Sequence, residues 1–190
     1  AADEPITIGF FGQFRREKRL EDLLNVYLAG NYTRPVRLMV QGSTMHAEDA
    51  AEFERIIAAY KGRGITFLHR GLIGAEWQRA ISEVDALLLP YSAPRYRYHW
   101  GAMLFTAIGF QKPVLTSNDM NPEVFERFSI GMTFPSGDLA ALGGALETFI
   151  NEYDSRALHW HEALQRAADE YAPARFAVRI MKIIDGNAGK

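Results

Sequence analysis

Short apolar runs and amphipathic stretches take turns along this chain. "ITIGFF" (6–11) is β-branched and aromatic without a charge, which predicts a buried strand. Leu20, Leu23, Leu24, Tyr27 and Leu28 then recur at helical spacing on one face. "VRLMVQG" (36–42) predicts a second strand, closed by glycine, and Phe53, Ile56, Ile57 and Tyr60 mark a second helix. The series continues with a strand "ITFLH" (65–69), a helix "AEWQRAISE" (75–83) and a strand "DALLLPY" (85–91). A helix from Gly101 to Gln111, a strand "PVLTS" (113–117), a short helix at 122–128 and a strand "GMTFP" (131–135) follow. Leu139, Leu142, Leu146, Phe149 and Ile150 stripe a further helix. The tail from Ser155 to Ile184 is helical, with a joint at Pro173, which cannot continue a preceding helix.

Regular strand–helix alternation predicts an α/β fold: a Rossmann-like, doubly wound parallel sheet of about six strands with helices on both faces. No repeat, low-complexity segment or linker interrupts it. Residues 1–190 therefore read as one domain, with a core at 5–152 and added C-terminal helices at 155–186. In such sheets ligands bind beyond the carboxyl ends of the strands, where the strand order reverses. The usual order puts that reversal between the first and fourth strands. Two loops therefore matter most, 12–18 and 91–101.

Composition narrows the partners. The 190 residues are 48% apolar and 12% aromatic, ample for a core. A formal net charge of -2 argues against a general nucleic-acid binder, because non-specific affinity for polyanions needs excess positive charge. The absence of cysteine excludes a disulfide framework and a Cys-ligated metal. No apolar run approaches membrane-spanning length, and a cytoplasmic location is expected.

Against this acidic balance, Arg15, Arg16, Lys18 and Arg19 crowd the first loop. The second reads "YSAPRYRYHWGA" (91–102), aromatic and basic, and feeds a helix through Gly101. A helix N-terminus offers unpaired N–H groups and about half a positive charge, a ready anion site. Gly101 lets a ligand approach the backbone closely. Arg15 and Lys18 supply forked and point-charge contacts from the opposite wall. Two cations and a helix dipole suffice for a diphosphate without a metal. The alternative is a solvated helix start, but cations there oppose the dipole, so a purely structural choice favours Asp or Glu. Arg16 and Arg19 read as the solvated members.

Several segments in order carry a resemblance: "GQFRREKRLEDLL", "VRLMVQGS", "ITFLHRGL", "EVDALLLPY", "GAMLFTAIGFQKPVLTS" and "GMTFPSGDLAALGGALETFI". From about Ile6 to Glu152 the chain resembles the C-terminal, nucleotide-sugar-binding domain of retaining GT-B glycosyltransferases, the family 4 group. The resemblance implies one half of a GT-B fold. It implies transfer of a sugar, with retention, from a nucleotide diphosphate sugar to a glycan or lipid-linked acceptor. Arg15 and Lys18 would be the catalytic cations on the donor diphosphate, with Gly12 and Gln13 beside them. His99, Trp100 and Gly101 would line the opposite wall, where N–H groups near Ala102 and Met103 cap the phosphates. The nucleoside would lie across Arg70, Gly71 and Leu72 and near Gly42.

Departures from the family pattern stand beside these matches. Gln13 occupies the place of the arginine that usually follows the glycine, while Arg15 fits a subgroup reading glycine, two residues, arginine, two residues, lysine. The family's pair of glutamates falls at Tyr98 and, eight positions on, Thr106, so both carboxylates are absent. The Thr106 hydroxyl offers a ribose a weaker hydrogen bond than a carboxylate would. Two other readings follow: a non-catalytic nucleotide-sugar-binding or scaffolding module, and a GT-B type epimerase or phosphorylase.

Other residues are weaker candidates. His99 is an alternative acid or sugar contact, and Trp100 has a better address for a sugar platform than Trp77. Asp85 precedes a buried strand and reads as a structural hydrogen-bonder. His159 and His161, two apart on a surface-type helix, do not share a face as ligands. No D-x-D triplet occurs that would bridge a metal to a diphosphate. "PRYRYHW" alone is thin evidence for a single-stranded nucleic acid partner.

One strand–helix series is the size of one domain, whereas a GT-B enzyme needs two that face each other. The expectation is the donor-binding half of a longer protein, lacking its N-terminal acceptor domain and unable to transfer sugar alone. Any peripheral membrane association would then run through the missing part. Phe176, Ile180, Met181 and Ile184 form a stripe assigned partly to that interface, with its first half expected to pack on the domain's own sheet.

Overall fold

A parallel strand needs a crossover to return to the same edge, and an amphipathic helix between two apolar runs provides one. In the computed structural model, which describes residues 4–187, the predicted alternation closes into one six-stranded sheet of order β3-β2-β1-β4-β5-β6. The strands are β1 (Ile6–Phe10), β2 (Val36–Gly42), β3 (Ile65–His69), β4 (Ala86–Leu89), β5 (Val114–Ser117) and β6 (Gly131–Phe134). Every pairing is parallel, and β1 lies between β2 and β4, so the order reverses there. Ala1–Asp3 and Ala188–Lys190 of the predicted 1–190 domain lie outside the described residues.

The central strands are buried along their whole length, which is why β4 reads "ALLL" and β5 "VLTS" rather than alternating. Helices α1 (Leu20–Ala29), α2 (Ala47–Tyr60), α3 (Gly74–Ser82), α4 (Ala102–Gly109), α5 (Pro122–Arg127) and α6 (Leu139–Asn151) cover both faces. The predicted stripes are the buried faces: Leu20, Leu23, Leu24 and Tyr27 on α1, and Leu142, Leu146, Phe149 and Ile150 on α6. Asp138 caps α6 by accepting the Ala141 N–H at 2.9 Å.

Prolines explain the strands that are shorter than predicted. β4 stops before Pro90, β5 begins after Pro113 and β6 stops before Pro135, because a proline has no N–H to give the ladder. α4 ends at Gly109 rather than Gln111, whose φ of 54° is left-handed. Asp85 bonds the backbone N–H of Thr7 at 2.7 Å, the structural role expected of it.

The tail forms two helices, α7 (Tyr153–Glu170) and α8 (Pro173–Asn187), so α7 starts before the predicted Ser155. α7 is not a pure surface helix: Trp160 is fully buried and stacks on Phe149, with ring centroids 4.7 Å apart. Burial of that kind holds a helix by about 3–5 kcal/mol relative to alanine. α8 has no such anchor. Its described side chains, Phe176, Ile180, Met181 and Ile184 among them, are exposed from end to end, which corrects the expectation that the first half of the stripe packs on the sheet. Among the described residues no helix is long and apolar enough to cross a membrane.

Two glycines make the packing testable. A Cβ on Gly131 would sit 1.9 Å from the Val114 carbonyl oxygen in the neighbouring strand, whereas a Cβ on Gly144, inside α6, meets nothing within 4 Å. Gly131→Ala should cost about 3 kcal/mol. Gly144→Ala should gain about 0.5–1 kcal/mol through helix propensity. Urea unfolding midpoints read both, and equal midpoints for the two variants would contradict this packing.

Candidate functional site

The first loop is shaped by Gly12. Its φ of 115° is open to glycine, and a Cβ there would lie 3.2 Å from the Lys18 ammonium nitrogen. Gln41, itself buried, accepts the Gly12 N–H at 3.0 Å and donates to the Arg70 carbonyl at 2.6 Å, tying together the chain after β1, β2 and β3. Phe14 donates its N–H to the Ser43 carbonyl at 2.8 Å. The chain then makes a 3-10 turn at Arg16–Lys18 and enters α1 through a left-handed Arg19.

This geometry divides the cations. Arg16 pairs with Asp49 (3.6 Å) and Glu52 (2.6 Å), and Arg19 with Asp22 (2.7 Å), all outside the strand ends. Arg15 bonds only the Gln13 side chain, at 3.0 Å, and has no carboxylate partner among the described residues. Lys18 is 8% exposed, likewise without a carboxylate. Its ammonium lies 5.0 Å from the Tyr91 ring centre and 5.8 Å from that of Phe10, cation–π contacts that offset part of its desolvation.

The second loop is held from β5 and the chain after it. Ser117 donates its hydroxyl to the Tyr91 carbonyl, and Thr116 to that of Leu89 at 3.1 Å. Asn121, left-handed at φ 43°, accepts the Gly101 N–H at 3.1 Å and donates to the His99 carbonyl at 3.2 Å. Between them runs a second 3-10 turn, Pro94–Arg97. Trp100 stacks flat on Phe105, centroids 3.6 Å apart, and keeps its outer face in solvent. The buried polar or charged side chains among the described residues are Lys18, Gln41, Thr116, Ser117 and Asn121. All of them sit at the carboxyl end of a strand or in the segment after it.

Between the two loops opens a cleft of about 320 Å³. Arg15, Lys18 and Tyr91 line one side, and His99, Trp100, Gly101, Ala102 and Met103 the other. Arg95, Tyr96 and Met120 complete it, so no carboxylate residue is among its lining. Burial, and secondarily the charge of Arg15, push the Lys18 ammonium down to about 8. The charged form is thus short of partners here, which an anion would supply.

The predicted residues divide. Arg15, Lys18, His99, Trp100, Gly101, Ala102 and Met103 meet in the cleft, with Gly12 beside Lys18. Gln13, Gly42, Arg70, Gly71 and Leu72 lie along the neighbouring edge, toward β2 and β3, and do not line it. Gly42 is a glycine for packing: a Cβ would meet the Phe53 ring at 2.8 Å. Arg70 is exposed beside Glu76, at 3.5 Å. Tyr98 points into solvent, 84% exposed, and Thr106 donates its hydroxyl to the Ala102 carbonyl at 2.9 Å.

Two expectations are corrected. The space that glycine leaves at position 101 is filled by the protein, since a Cβ would lie 2.5 Å from the Asn121 side-chain oxygen. The Ala102 N–H is spent on the Trp100 carbonyl at 3.0 Å, so it is not free to cap a phosphate. Arg95, Tyr96, Asn121 and Gln41 were not singled out from the sequence. The basic, aromatic composition of 91–102 was the available signal for the first two; the other two act through tertiary hydrogen bonds that no local pattern announces.

The lipopolysaccharide outer core galactosyltransferase WaaB superposes with a TM-score of 0.70 at 17% identity, over 97% of this chain and 50% of that one. HepE from Anabaena, in complex with UDP and glucose, gives 0.76 at 16% identity over 96% of this chain and 48% of its own. The C-terminal domain of a group 1 glycosyltransferase, LpcC from Francisella tularensis, gives 0.66 at 14% identity, over 87% of this chain and 85% of that domain. No protein-family model and no curated protein sequence matches the chain. The fold is therefore that of a C-terminal GT-B half-domain, and the chain spans about half the length of WaaB and HepE.

Lys18 offers a direct check on the electrostatics. Because its native value lies below that of an unfolded lysine, the buried charge penalises stability below about pH 8, and the penalty is relieved as pH rises from there toward 10.5. NMR of lysine side chains labelled at Cε should show one lysine titrating near 8, lost in Lys18→Met and moved upward in Arg15→Gln. A Lys18 midpoint above 10 would contradict the buried geometry.

Proposed function

We propose that this domain holds the nucleoside diphosphate of a nucleotide sugar in the cleft between the loops after β1 and β4. Joined to a facing acceptor domain, it transfers the sugar with retention to a glycan or lipid-linked acceptor in the cytoplasm. The observation that carries the reading is the paired placement of Arg15 and buried Lys18, two cations without carboxylate partners, at the strand-order reversal. HepE, of the same fold, was solved with UDP and with UDP-glucose, which supports a nucleotide sugar as ligand.

Each group then has a task. Arg15 and Lys18 neutralise the diphosphate and, as the sugar–phosphate bond breaks, stabilise the charge developing on the leaving phosphate. The Met103 N–H and the α4 dipole act from the opposite wall. His99 and Trp100 flank the sugar. Gly12 and Gln13 shape the phosphate end, while Arg70, Gly71, Leu72 and Gly42 border the nucleoside. Two cations and a helix terminus match the two charges of a diphosphate, so the proposal needs no metal and no nucleic acid.

The cleft has no carboxylate lining and Thr106 is turned into its own helix, which favours a second reading as a binding module without transfer. Transfer by the domain joined to its acceptor half separates the two readings; the domain alone should transfer nothing. Donor binding itself is tested by calorimetry with uridine, guanosine and adenosine diphosphates. One of them should bind, and Lys18→Ala should weaken it at least about tenfold, as should Lys18→Met, which keeps the apolar stem. No binding at millimolar concentration, or affinity unchanged in both variants, would overturn the proposal.

A further inference from the structure

Arg95 lines the cleft from the second loop. The other guanidiniums of the two loops are committed elsewhere or without a carboxylate. Arg16 and Arg19 face acids on the outer side of the first loop, Arg97 faces Asp119 at 3.4 Å, and Arg15 has no carboxylate partner among the described residues. Among the described residues Arg95 alone reaches across the cleft mouth, from the second loop to an acid on the first, where it pairs with Glu17. Glu17 sits inside the 3-10 turn Arg16–Lys18, directly before the buried lysine.

The guanidinium is also oriented. It lies 5.1 Å from the Tyr96 ring centre, with one nitrogen 3.3 Å from the Tyr96 hydroxyl, and that hydroxyl is 3.4 Å from the Glu17 carboxylate. Tyr96 is in turn fixed by its contact with buried Tyr91, ring centres 5.1 Å apart. Arg95 is thus held ready by a carboxylate at the edge of a cleft that contains two further cations. Both members of the pair remain partly exposed, 41% and 37%, and an ion pair in that setting is weak. A phosphate is a stronger partner, since its charge is larger and its oxygens match the guanidinium fork.

Resting on the diphosphate-binding reading above, we propose that Arg95 is a third phosphate-binding cation, and that Glu17 is a placeholder anion which positions it and is displaced when the diphosphate enters. Exchange of Arg95 from carboxylate to phosphate would couple ligand entry to release of the link between the two loops. Glu17 acts through Arg95 and touches no substrate.

Titration of the folded domain at low salt with inorganic pyrophosphate and with uridine diphosphate, followed by NMR, tests this. Arg95→Ala should weaken both ligands about tenfold, and Glu17→Gln should strengthen both about threefold to tenfold by freeing Arg95. In the Arg95→Ala background Glu17→Gln should add little, whereas a general change of field would give the same gain in both backgrounds. Glu52→Gln, which removes an acid from Arg16 outside the cleft, should leave affinity unchanged. Glu17→Asp should restore the wild-type values. Unchanged or weaker binding in Glu17→Gln, or an equal gain without Arg95, overturns the exchange. Wild-type protein that binds neither ligand overturns the diphosphate reading itself, and the exchange falls with it.

Discussion

Placing an ammonium group inside a protein without a carboxylate imposes a demand that the surroundings must meet. At Lys18 the demand is met by geometry on every side. Glycine at position 12 leaves room for the nitrogen, the rings of Phe10 and Tyr91 present their faces, and the 3-10 turn with left-handed Arg19 steers the side chain inward from the start of α1. None of these features is explained by stability alone, because an apolar residue at position 18 would be cheaper to bury. They form a coherent set if the charge is meant to meet an anion.

The rest of the molecule is arranged so that this site is stiff. The sheet interior is apolar through β1, β4 and β5, while the buried polar side chains gather at its carboxyl end. Gln41 ties the loop after β1 to the segment after β3, Asn121 holds the entry to α4, and Ser117 and Tyr91 pin the start of the second loop. These hydrogen bonds are buried or half-buried, and the loss of one would leave an unpaired group, so together they fix loops that would otherwise move. Elsewhere, Trp160 anchors α7 by stacking on Phe149 of α6, whereas the described apolar residues of α8 lie in solvent.

Much of this was legible in the amino-acid order. Strand and helix identity followed from apolar runs and 3.6-residue stripes, and the parallel topology from their alternation. The place of the candidate cleft followed from topology plus the cations at 15 and 18. What stayed hidden has physical reasons. Pro90, Pro113 and Pro135 trim strands by lacking a donor, a rule that the apolar run masks. Gly101 reads as an opening for a ligand and Gly42 as a neighbour of the nucleoside, but whether a missing Cβ makes room for a ligand or for Asn121 or Phe53 depends on distant residues. The stripe on α8 predicts burial, and only its neighbours decide whether it is covered. Arg16 and Arg19 read from the sequence as the solvated cations and are so, but the acids that hold them, Asp49, Glu52 and Asp22, lie on other elements or a turn away and gave no signal.

The central claim is that the cleft framed by Lys18 and the start of α4 is where an anionic nucleotide rests. Mapping amide chemical shifts of the domain during addition of uridine diphosphate tests it most directly. The account predicts that the largest changes fall at Gly12, Lys18 and Gly101 to Met103, at the carboxyl ends of β1 and β4. Changes centred instead on the hollow between Asp85, Lys112 and His161, at the opposite end of the sheet, would contradict it.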